Sequence, residues 1–151
     1  MTAAQTAADL HAAIAEGLQL FQQVDETRTA TRPGPGRWCA REVLGHLIDS
    51  AANNHQRFVR AQQGNALTLP GYEQNHWVAS QGYQEADWPH LVTLWTHFNL
   101  HLADVMDRIP PAAYPVRCAI GGDEPVTLEF VVVDYLRHLR HHMGQIRERL
   151  R

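Results

Sequence analysis

Apolar residues return every three or four positions along four stretches of the chain, and turn-forming segments separate them. Ala7, Leu10, Ile14, Leu18 and Phe21 share one helical face ahead of the break RPGPGRW at Arg32–Trp38. From about Cys39 to Gln63, Val43, Leu44, Leu47, Ala51, Phe58 and Ala61 form a second arc that ends before Gly64. Asp87 and Pro89 make a helix start, after which Leu91, Leu94, Trp95, Phe98, Leu102, Val105 and Ile109 trace a third face until Pro110 and Pro111 stop it. Leu128, Val132, Tyr135, Leu139, Met143, Ile146 and Leu150 carry the fourth. Four long amphipathic helices with no strand series predict an all-α fold, a four-helix bundle over residues 1–151 as a single domain. Gly64 to Gln84 is irregular and aromatic, and is expected to pack as a loop over one bundle end. Together with the segment Pro110 to Pro125, which holds a Gly-Gly turn, it is long enough to span the bundle, so at least one crossover connection is expected.

Composition narrows the function. A hydrophobic content of 44% over 151 residues suffices for one full core. A net charge of −3 with 19% charged residues lacks the basic excess of a nucleic-acid binder, so no nucleic-acid partner is expected. No window approaches the roughly 20 apolar residues of a membrane span, and the start MTAAQTAADLHAAIAEGLQLF has no basic segment leading into an unbroken apolar run. The expectation is a soluble, cytoplasmic protein with no membrane partner. Cys39 and Cys118 have no neighbouring cysteine, which argues against a thiolate zinc site or a redox dithiol; a single disulfide between them stays open.

The candidate chemistry lies in the histidines, ten in all. In DYLRHLRHHMGQI, His142 falls inside the apolar arc of the fourth helix, about 20° from Tyr135, and His138 falls on its edge at about 60°, whereas His141 lies well outside. The i, i+4 spacing puts His138 and His142 one turn apart, the geometry by which a helix offers two nitrogens to one metal ion. Hydrogen-bonded boundary histidines would show the same spacing. The second helix carries a narrow polar stripe of His46, Ser50, Asn53, Arg57 and Arg60, which faces either water or a polar cavity between helices. A second pair, His97 and His101, also has i, i+4 spacing, and the pattern alone does not choose between the pairs.

RWCAREVLGHLIDSAANNHQRF on the second helix and TLEFVVVDYLRHLRHHMGQI on the fourth, with LPGYEQNHWV between them, resemble the DinB-like superfamily, which includes the YfiT-like and bacillithiol S-transferase-like proteins. The resemblance covers most of the chain. It implies a DinB-type bundle, frequently a homodimer, with His46, His138 and His142 holding a divalent metal, zinc or nickel, at one end of a cleft. Three imidazoles leave an open position, so such a site would activate water for hydrolysis or a low-molecular-weight thiol for transfer on a small-molecule substrate. Tyr135, one turn before His138, is a candidate donor to a bound oxygen. Asp49, three residues after His46, is a candidate acceptor for a ligand's second ring nitrogen. Asn53, Arg57 and Arg60 would suit a carboxylate-bearing substrate. Each has a plainer alternative: Tyr135 as a core aromatic, Asp49 as a surface charge, the arginines as salt-bridge partners, and Gln145 as a helix-end polar contact. Where many relatives have Ser or Thr before Ala-x-Glu, this chain has Cys39; a weaker helix cap is expected, and a thiolate favoured by the helix dipole is the reactive alternative. A metal-dependent transferase or an amidase-type hydrolase is therefore expected. A non-catalytic ligand-binding or stress-response module is the rival.

Overall fold

All four apolar periodicities are helices in the computed structural model, which describes residues 2–151. They are α1 (Ala3–Gln22), α3 (Ala40–Ala61), α5 (Trp88–Asp107) and α6 (Leu128–Arg149). α1, α5 and α6 each begin at a side chain that caps them. The Asp87 carboxylate accepts from the His90 N–H at 2.9 Å and Thr127 Oγ1 accepts from the Phe130 N–H at 3.1 Å. At α3 the capping box survives through its acidic half: Glu42 accepts from the Cys39 N–H at 2.9 Å and is clamped by Arg32 at 2.6 Å. The alternative of a reactive Cys39 finds no support here. The thiol is fully buried, and burial pushes its pKa up rather than down.

Three features went beyond the periodicity. A short helix, α2 (Glu26–Thr29), follows α1, and the segment expected as an irregular loop contains β1 (Leu67–Leu69) and α4 (Gln74–Ser80). The expectation of no strands is also corrected, because β2 (Arg117–Ile120) and β3 (Val126–Thr127) join β1 in a small sheet. β1 runs parallel to β2 with Leu67 opposite Cys118, and β2 pairs antiparallel with β3, placing Cys118 opposite Val126.

Side-chain neighbours fix the direction of each helix. α1 and α3 each pack on both α5 and α6. Phe21 meets Trp88 and Trp95 edge-on at 5.6 and 5.2 Å, so α1 is antiparallel to α5. Phe58 meets Tyr135 at 5.8 Å while His46 meets His142 at 4.6 Å, so α3 is antiparallel to α6. Tyr83 packs on Gly45, and His55 packs on Phe98 and His101; α3 and α5 therefore run parallel. Two parallel neighbours cannot be joined by a tight hairpin, which is why the chain from Gln62 to Asp87 must return the length of the bundle, as the crossover expectation required. That returning segment carries Tyr72, Trp77 and Tyr83 across α3. Among the described residues no helix is long and apolar enough to cross a membrane.

Candidate metal centre

His46 sits on the inward face of α3, while His138 and His142 lie one turn apart on α6; antiparallel packing of the two helices brings the three rings together. His46 Nε2 lies 3.2 Å from His138 Nε2, which lies 3.1 Å from His142 Nε2. All three ligand atoms fall within 4.8 Å of one another. Lone pairs aimed at one another at this separation repel unless a proton or a cation lies between them. A tetrahedral ion with bonds of 2.0–2.1 Å holds its nitrogens roughly 3.3 Å apart, so the observed spacing fits three ligands of one ion.

The surroundings favour the neutral, ligating form. Burial, and then the neighbouring imidazoles, bring the His46 pKa down to about 3 and that of His138 to about 4; burial also lowers His142. His142 Nδ1 lies 2.8 Å from Gln145 Oε1, an acceptor, which places the ring proton on Nδ1 and leaves Nε2 bare. Gln145, expected only as a helix-end contact, thus sets a tautomer. The Trp38 ring lies 5.1 Å from that of His46, and Tyr72 lies 6.4 Å from it, so aromatic carbon borders the centre.

These shifts predict a sign for pH dependence. In the unfolded chain the imidazoles titrate near 6.5, whereas in the folded metal-free chain they stay neutral well below that. The stability they contribute is present above about pH 6.5 and is lost as pH falls toward the folded values. Metal-free protein is expected to show a falling Tm between pH 7 and pH 5, and His46→Ala a shallower fall over that range. Equal slopes would show that the histidines are not held neutral. The buried Asp49 carboxyl, whose pKa burial raises, contributes with the opposite sign.

The other expected residues are placed unevenly. Asp49 is buried, yet it forms no hydrogen bond to a histidine; Oδ1 accepts from Tyr83 Oη at 2.7 Å and Gln81 Nε2 at 2.8 Å. Its Oδ2 and the Nδ1 of His46 are both buried with no partner among the described residues. Tyr135 is buried, and its hydroxyl donates to Asn99 Oδ1 on α5 rather than standing free for a ligand. The polar stripe of α3 divides. Ser50 and Arg57 line a cleft of about 280 Å³ that reaches the centre at His138, together with Asn54, Tyr72, Cys118 and Tyr135. Asn53 bonds the Asp49 carbonyl, Arg60 is exposed and bonds Gln56, and neither lines that cleft. Helical phase could not separate these neighbours, because the cleft wall is completed by the sheet that periodicity missed. His97 and His101 are exposed, and His101 faces the ring of His55 at 5.3 Å; neither joins the three-histidine group.

Comparison with known proteins agrees with this architecture. The sequence model of the DinB superfamily matches residues 9–146. Among solved structures, YfiT from Bacillus subtilis, "a probable metal-dependent hydrolase with an unusual four-helix bundle topology", superposes with a TM-score of 0.80 at 20% identity, covering 97% of this chain and 83% of that one. At that identity the likeness shows the fold. No curated protein matches.

Proposed function

The chain belongs to the DinB superfamily, and from that premise we propose that it is a metal-dependent enzyme in which His46, His138 and His142 hold one divalent ion, zinc or nickel, beside a cleft for a small-molecule substrate. The observation that carries this reading is the convergence of three Nε2 atoms at separations of 3.1 and 3.2 Å. An ion held there by His46, His138 and His142 would keep its full charge, and would supply Lewis-acid activation of water for hydrolysis or of a thiol for transfer. The description of YfiT supports hydrolysis as the first reaction to screen.

The residues around the histidines have separable roles. Gln145 holds the His142 proton on Nδ1, so that Nε2 faces the centre. His46 must likewise carry its proton on Nδ1 when Nε2 ligates, and that N–H needs an acceptor. Asp49 Oδ2, one turn along the same helix and equally without a partner, would supply it through a bridging water. Tyr135 would position the centre rather than donate to a bound ligand, because its hydroxyl already donates to Asn99 and ties α6 to α5 one turn before His138. Arg57 is half-buried in the cleft wall, with only a long 3.4 Å bond to Asn54, which leaves most of its guanidinium to donate to a substrate oxygen; Asp123, Glu124 and Asp134 share that lining, so a substrate without a carboxylate suits this cleft better than the carboxylate-bearing one the sequence suggested.

The test is a screen of small esters and amides with the zinc- or nickel-loaded protein, with and without a low-molecular-weight thiol. Turnover should stop on chelation, return with added metal, and fail in His138→Ala. Turnover without thiol assigns hydrolysis, and turnover that needs it assigns transfer. Activity that survives both chelation and His138→Ala would contradict the proposal.

A further inference from the structure

The histidine centre opens in two directions, and the two openings differ in charge. The cleft already described meets it at His138, and its lining carries Asp123, Glu124 and Asp134 against the single Arg57. A second opening of about 270 Å³ meets the centre at His142, between Trp38 and Gln145. It shares no lining residue with the first, and it carries Arg37 and Arg149 with no carboxylate. Those two arginines also border an adjoining hollow of about 430 Å³, where Arg28 joins them and Glu148 is the one acid.

We propose that the opening at His142 admits a small anionic molecule, bearing a carboxylate or a phosphate, to the histidine centre from the side opposite in charge to the acidic cleft. The proposal rests on the reading of the three histidines as a ligand centre. Arg149 is already fixed: its side chain is 11% exposed, and its Nε donates to the Trp38 carbonyl at 2.8 Å. An arginine held in advance loses little rotamer freedom when an anion arrives, and its planar fork matches carboxylate and phosphate oxygens. Its contact with Glu148 is loose, 3.9 Å to a largely exposed carboxylate, and screens it weakly. Arg37 is exposed, and its side chain makes no hydrogen bond or ion pair among the described residues, so it is available to close on the same anion. Two mouths with opposite charge let two reactants reach one centre together, each selected by its own rim; a single mouth would force them to share one path.

The experiment follows the ring resonances of His142 and His138 by nuclear magnetic resonance at pH 8, where both imidazoles are neutral, while inorganic phosphate and, separately, succinate are added to metal-free and zinc-loaded protein. The expected result is a saturable shift at His142 with at least one of the two anions, weakened about fivefold or more by Arg37→Ala and abolished by Arg37→Glu. Arg60→Ala, at an exposed arginine that lines neither opening, should leave the His142 response within about twofold. Arg37 lies on the surface, so an unchanged thermal melt is expected for its variants. A larger response to phosphate than to succinate, or the reverse, identifies the anion class. Shifts confined to His138, or lost in Arg57→Ala and not in Arg37→Ala, would overturn the proposal by placing the anion in the acidic cleft. No saturable shift with either anion would overturn it outright. Failure of the protein to take up zinc would instead remove the ligand-centre reading, a result visible before any anion is added.

Discussion

His138→Ala is expected to lower the divalent-metal content of the protein from about one ion per chain to background, and to reduce metal-dependent turnover at least about 100-fold. His138 is the middle member of the cluster, with its Nε2 3.2 Å from that of His46 and 3.1 Å from that of His142. Without it, one ligand on α3 and one on α6 remain, and two imidazoles hold a divalent ion far less tightly than three. The fold should persist. Removing one of three mutually repelling, desolvated imidazoles costs the metal-free protein little, so its melt should stay near that of metal-free wild type. Elemental analysis after gel filtration, paired with a thermal melt, reads both parts. Retained metal with a normal melt would move the ligand set elsewhere.

Gly45→Ala is expected to destabilise the protein by about 3 kcal/mol and to weaken metal binding. In an exposed helix interior alanine is favoured over glycine by about 1 kcal/mol, so the sign here is opposite to propensity. The reason is steric. A Cβ at Gly45 would lie 2.1 and 2.2 Å from Cδ2 and Cγ of Tyr83, a ring that is only 6% exposed. Tyr83 in turn holds the Asp49 carboxylate at 2.7 Å, so displacing the ring shifts the acid one turn from His46. Tyr83→Phe separates the two effects, since it keeps the ring and removes the hydroxyl. Urea unfolding of both variants checks this; a Gly45→Ala protein as stable as wild type would show that Tyr83 does not seal against α3.

What the sequence made legible follows from length and period. Helices of 20 to 22 residues repeat their apolar face five or six times, and α3 at Ala40–Ala61 falls inside the expected span. Strands of three, four and two residues contain no period to read. They exist because Leu67–Leu69 finds Cys118–Ile120 about a third of the chain away, which is tertiary information. The site divides the same way. Helical phase turned His138 and His142 inward and left His141 out, as observed. It could not choose between them and His97 with His101, because the choice depends on which helices meet; family resemblance made that choice. Asp49 and Tyr135 were placed correctly on their helices, but their partners, Tyr83 and Asn99, come from other elements and carried no sequence signal. Gln145 did carry one, three residues beyond His142, where a side chain can reach back to the ring.

The central claim is that His46, His138 and His142 bind one ion through their Nε2 atoms. X-ray absorption at the metal edge of the zinc-loaded protein tests it most directly. The account predicts three imidazole nitrogens at roughly 2.0–2.1 Å, completed by a light oxygen-type scatterer and with no sulfur neighbour. Fewer than three imidazoles, or a sulfur scatterer at roughly 2.3 Å, would contradict it.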